Sequence, residues 1–101
     1  MRMSIYNNND LRREILKTLN IVPFCEFNSK AVLRALRESG FGGLSSGDLS
    51  VQASYLAKKG YIEIRETENF ISKEKTTVLA ISDKGVDLLE GNHPDVGVSD
   101  G

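Results

Sequence analysis

The sequence predicts a mostly helical α+β domain, with three helices around one core, a β-hairpin and a short fourth helix. Three observations predict it. Apolar residues recur at helical spacing in three separate stretches, two later stretches are strand-like in pattern or β-branched content, and capping or stop residues punctuate the boundaries. With 101 residues the chain matches the usual size of one domain, here 1–91, leaving 92–101 as a flexible acidic tail.

The first helix begins at Asn9 or Asp10, since either side chain can accept from the free amides of a first turn. Leu11, Ile15, Leu16 and Leu19 share one face, and Arg12, Arg13, Glu14 and Lys17 face water. Asn20 and Pro23 end it, and Phe24 to Phe27 reads as a short extended segment. Asn28 or Ser29 caps the second helix, whose apolar stripe is Val32, Leu33 and Leu36, with Lys30, Arg34 and Arg37 on the other side. Gly40 sits just past its end, where a positive φ suits glycine.

Ser45 opens the third helix, residues 45–59, with Asp48 three positions on as a variant of the capping box. Leu49, Ala53 and Leu56 turn inward. Gly60 stops the helix, and Tyr61 to Glu66 follows as a strand with Ile62 and Ile64 on one side. Residues 67–75 are polar apart from Phe70 and Ile71, and Thr76 to Ile81 is a second, β-branched strand. Ser82 caps a last helix carrying Val86 and Leu89, closed by Gly91. Three helices need a common core to bury their stripes, and the hairpin covers the open side. That order is a winged helix-turn-helix.

Composition narrows the function classes. No stretch approaches the ~20 apolar residues of a membrane span, and Met1 to Asp10 is too polar for a signal peptide. Cys25 is the only cysteine, so no internal disulfide forms and a reducing cytoplasm is expected. It reads as a semi-buried thiol rather than a nucleophile, because the only histidine, His93, lies in the tail. No His, Cys and Asp grouping has metal spacing, and Gly40-Phe41-Gly42-Gly43 is not followed by the Lys-Ser or Lys-Thr of a phosphate loop. A protein that is not an enzyme, with no cofactor, metal or small-molecule ligand, is predicted.

The net charge is −1, yet it is unevenly spread. Up to Lys75 there are 12 Lys and Arg against nine Asp and Glu, and beyond it only Lys84 opposes five acids. A mildly basic body with an acidic end permits nucleic-acid binding without demanding it.

Two blocks carry a family resemblance. Tyr55-Leu56-Ala57-Lys58-Lys59-Gly60-Tyr61-Ile62-Glu63-Ile64 and Thr77-Val78-Leu79-Ala80-Ile81-Ser82-Asp83-Lys84-Gly85-Val86-Asp87-Leu88-Leu89 together resemble the recognition-helix end, wing strands and final helix of bacterial winged-helix regulators. The whole chain also resembles small winged-helix proteins of Mu-like phages and prophages, in its length, its Asn28-to-Phe41 helix, its Leu44-to-Ile64 block and the ending Gly91-Asn92-His93-Pro94-Asp95-Val96-Gly97-Val98. The resemblance implies a transcriptional regulator acting on double-stranded DNA.

In a helix-turn-helix the third helix enters the major groove. Here Ser46, Ser50, Val51, Gln52, Ser54 and Tyr55 would meet base edges, Gln52 pairing with adenine and Val51 touching a thymine methyl. Lys58, Arg34, Arg37, Lys73 and Lys75 would hold phosphates, the last two from the wing at 67–75. Phe70 and Ile71 point to contact with a second subunit or another protein, or else fold back onto the domain. A homodimer would link two weak DNA sites. The competing function class is a winged-helix protein-interaction module without a DNA role.

Overall fold

The computed structural model describes residues 7–92 and 94–99. The element order is α1 (Asn8–Leu19), β1 (Phe27–Asn28), α2 (Ser29–Glu38), α3 (Ser46–Lys58), β2 (Ile62–Glu68), β3 (Lys75–Ile81) and α4 (Asp83–Leu89). The polar reading of Met1 to Tyr6, and His93, Asp100 and Gly101 of the expected tail, lie outside the described residues.

Each helix starts on a side chain that satisfies an otherwise free amide. Asn7 caps α1, Asn28 caps α2, Ser45 caps α3 and Ser82 caps α4. The α1 cap falls two residues before the expected Asn9, whose side chain instead reaches Val96 O at 3.0 Å. In α3 the box is reciprocal. Ser45 Oγ accepts from the Asp48 amide at 3.1 Å, and the Asp48 carboxylate accepts from the Ser45 amide at 3.2 Å.

The core is one cluster. Leu11, Ile15, Leu16 and Leu19 of α1 are fully buried against Val32 and Leu36 of α2, Leu49, Ala53 and Leu56 of α3, and the inner side of the sheet at Ile62, Leu79 and Ile81. The sheet is antiparallel in the order β1-β3-β2, so β2 is an edge. Its register runs from Ile62 opposite Ile81 to Glu68 opposite Lys75. The hairpin strands are longer than the sequence pattern suggests, because Asn69 N donates to Glu74 O at 2.8 Å and closes the turn there. Thr67 and Glu68 are polar because the hairpin stands out in water, and they still pair as strand.

Three expectations are corrected. The first strand is two residues, Phe27–Asn28, because Phe24 takes φ 66° and breaks the extended run. Cys25, expected half-buried, is exposed on that same loop. Residues 94–99, expected as loose tail, form a strap across α1 and α3. Val98 is buried in the core cluster, Arg12 and Arg13 donate to the carbonyls of Gly97 and Ser99 at 3.0 and 3.1 Å, and Ser99 N donates to Asn9 O at 3.2 Å. One valine and a set of backbone acceptors anchor it, which is too sparse to register as an apolar pattern.

The reversal from α3 into β2 turns on Gly60 at φ 82°, a left-handed conformation that glycine adopts without strain. α4 closes over it. Ser82 Oγ donates to Gly60 O at 2.5 Å, and Lys84 Nζ donates to Lys59 O at 2.8 Å.

Candidate functional site

α3 has two sides with different fates. Leu49, Ala53 and Leu56 fix its inner arc in the core, leaving Ser46, Ser50, Val51, Ser54 and Lys58 exposed. Val51 is 64% exposed, a large apolar side chain held in water on the outward side of the helix. Asp48, the one acid in the first turn, is engaged in the cap and is half-buried.

The other two residues expected at base edges are placed differently. Gln52 is buried at 7% exposure, its Oε1 accepting from Arg12 Nε at 2.7 Å. Tyr55 is half-buried, with the Arg12 guanidinium 3.7 Å from its ring centroid and Gly97 against its hydroxyl. The buried arc of α3 is thus wider than its apolar residues indicate. Arg12, read from the sequence as a solvated side chain, supplies the polar partner that lets Gln52 be buried. Nothing local to Arg12 signals this, since Gln52 and Tyr55 are on α3, Gly97 is in the strap and only Asn9 lies nearby in sequence.

The strap is anchored by a second polar set. Tyr61 Oη donates to Asp95 Oδ2 at 2.5 Å, Gly97 N donates to Asp95 Oδ1 at 2.7 Å, and Lys59 Nζ lies 4.0 Å from the same carboxylate. These donors hold the Asp95 carboxyl below its ordinary value, Tyr61 being the largest cause. Burial, with the adjoining Asp95, pushes the Tyr61 phenol up to about 12.

Of the expected phosphate ligands, Lys58, Lys75 and Arg34 are exposed. Arg37 is exposed but its Nε donates to Leu44 O at 2.8 Å, bracing the turn that leads into α3. Lys73, at φ 63°, has its Nζ 5.2 Å from the Phe70 ring centroid at the hairpin tip. On the opposite face of the hairpin, Arg65 grips Glu26 through two bonds at 2.7 and 2.5 Å, which lowers the Glu26 carboxyl and ties the α1–β1 loop to β2.

Between α2, α3 and the hairpin runs a groove of about 350 Å³. Ser29, Lys30 and Leu33 of α2 form one wall, and Ser46, Ser50 and Ser54 of α3, above Leu49 and Ala53, form another. The third wall is the inner face of the hairpin, where the cross-strand pairs Ile64–Leu79 and Glu66–Thr77 point into it. Lys30, Glu66 and Ile64 were not among the expected site residues, because only the fold and the strand register bring them beside the serine row of α3.

No protein-family model matches the chain, and no curated protein matches it. The chain is similar to the crystal structure of a PadR-like transcriptional regulator from Bacillus cereus strain ATCC 14579, with a TM-score of 0.65 and 23% sequence identity over 81% of this chain and 76% of that one. The chain has a winged-helix fold. In that frame α2 and α3 form the helix-turn-helix pair, and β2 and β3 form the hairpin attached to it.

Among the described residues there is no cluster of three or more His, Cys, Asp and Glu side chains that could hold a metal ion. Among the same residues no helix is long and apolar enough to cross a membrane. The outer side of α3 presents the hydroxyls of Ser46, Ser50 and Ser54, the apolar Val51 and the cation Lys58, all exposed.

Proposed function

We propose that the protein is a transcriptional regulator that binds double-stranded DNA, encoded by a Mu-like phage or prophage. α3 enters the major groove. Ser46, Ser50 and Ser54 donate to or accept from base edges there, and Val51 meets a thymine methyl. Lys58 and Arg34 hold phosphates beside the helix, and Lys73 and Lys75 reach the backbone from the hairpin. Lys30, at the first turn of α2, adds a cation where helix amides already favour anions. Gln52 and Tyr55 take no part in base contact; with Arg12 they hold α3 in place.

One observation carries this reading: the outer row of α3 is left open, with Val51 64% exposed, while its one first-turn acid is occupied by the cap. A helix face whose side chains are small and exposed can lie against base edges.

Titration of mixed-sequence duplexes by fluorescence anisotropy tests it. Binding is expected at about 50 mM salt, and neutralising four or five phosphates gives a slope of log affinity on log salt of about −4. Lys58→Ala should flatten that slope by about 1, and Val51→Glu should abolish binding while leaving the circular dichroism unchanged. No binding at tens of micromolar protein in about 50 mM salt would overturn the proposal.

A further inference from the structure

The hairpin ends in an ordered knob. Asn69 Oδ1 accepts from the amides of Ile71 and Ser72 at 2.9 Å each, and the Lys73 amide donates to Asn69 O at 2.8 Å. This turn holds Phe70 and Ile71 at 86% and 91% exposure. A single exposed apolar side chain is ordinary, but an adjacent pair on a braced tip is a contact surface in search of a hollow.

The hollow of matching character lies at the root of the same hairpin. Its floor is Leu33, Leu49, Ile64 and Leu79, and its rim carries one base, Lys30, and one acid, Glu66. At about 350 Å³ it falls within the ~300–1,000 Å³ of cavities that accept bulky apolar groups. The tip cannot fill the groove of its own chain, because the strand from Ile64 to Phe70 holds them about 20 Å apart at about 3.3 Å per residue. The charges are complementary as well, since the tip carries Lys73 and Glu74 beside its apolar pair.

We propose that a second copy of this chain docks its hairpin tip in this groove. Phe70 and Ile71 cover the leucine floor, Glu74 faces Lys30 and Lys73 faces Glu66. Reciprocal docking sets two hairpins antiparallel and closes a two-fold dimer. The docked tip covers Ser46, Ser50 and Ser54, so dimer formation and duplex binding compete for α3. That last consequence rests on the DNA reading, whereas the docking itself does not.

Sedimentation equilibrium of the full chain without DNA, from about 1 μM to about 1 mM, tests the docking. A monomer–dimer equilibrium is expected for the natural sequence. Phe70→Ser with Ile71→Ser changes only exposed tip positions and should weaken dimerisation at least tenfold with the circular dichroism unchanged. Ser50→Trp plugs the groove from an exposed position and should do the same. Mixing the two variants should restore association, because one retains the groove and the other the tip. A natural chain monomeric to about 1 mM, a variant that dimerises as the natural chain does, or a mixture no more associated than its parts would overturn the proposal. With no duplex present, none of these results bears on DNA binding.

Discussion

The guanidinium of Arg12 sits 3.7 Å from the ring centroid of Tyr55, joining the first helix to the third through a cation–π contact. The same side chain donates from Nε to Gln52 and from Nη1 to Asn9 Oδ1 and Gly97 O. One residue therefore ties together both helices and the strap.

Arg12→Ala should lower stability by about 2–4 kcal/mol. The ring contact contributes about 0.5–2 kcal/mol. Leaving the Gln52 carbonyl oxygen buried without a donor costs a further ~1–3 kcal/mol. Arg12→Lys should recover little, since an ammonium cannot serve Gln52, Asn9 and Gly97 while stacking on Tyr55. Urea unfolding monitored by circular dichroism measures both.

Gly97→Ala should release the strap. A β-carbon there would collide with the Tyr55 hydroxyl and lie 2.8 Å from Cζ, atoms already held by Arg12. If Val98 leaves the core, the loss is about 1.5–3 kcal/mol, and limited proteolysis should cut within 94–99. A variant as stable and as resistant as the natural chain would contradict this.

Gly85→Ala should destabilise although it falls inside a helix, where alanine is favoured by about 1 kcal/mol. The added β-carbon meets the Tyr61 carbonyl oxygen and comes within 2.7 Å of Ile81 Cγ1, neither of which is free to move. Overpacking of this kind costs about 1–3 kcal/mol, so the net change in thermal midpoint should be downward.

The Tyr61–Asp95 bond should give the strap a pH dependence at both ends. Asp95 has a depressed folded value, so its stabilisation is present above the ordinary carboxylate range and is lost as pH falls through the folded value. Tyr61 is raised from 10.0 to about 12, so its stabilisation is complete below pH 10 and declines as pH climbs from there through about 12. Tyr61→Phe should abolish the alkaline decline and weaken the acid one. Thermal midpoints from pH 3 to about pH 12 in the two proteins would show it.

The caps of α2, α3 and α4, the stripes and the hairpin were legible in the sequence because each is written locally. Ser45 with Asp48, Asn28 before α2 and the spacing of Leu49, Ala53 and Leu56 specify their own elements over a few residues. Gln52 and Tyr55 were not legible. A polar side chain on the margin of an apolar stripe is assigned outward until a partner is known, and Arg12 lies 40 residues before Gln52. The strap is harder still, for Val98 alone is too little pattern and its backbone acceptors leave no mark on side-chain chemistry. The groove is a product of register: Ile64 and Glu66 alternate as any strand would, and only pairing with Leu79 and Thr77 aims them at α3.

Val98 leaves the ribosome long after α1, yet it completes the core cluster that α1 begins. Until then a nascent chain holds Arg12 without its Gly97 acceptor and the side of α1 beneath Val98 uncovered. Helices and hairpin can form in order of synthesis, but final closure waits on joining segments some 85 residues apart, whose loop entropy is paid late. Stalling or cleavage a few codons short of that valine yields a folded-looking but unsealed species, open to the cell's proteases.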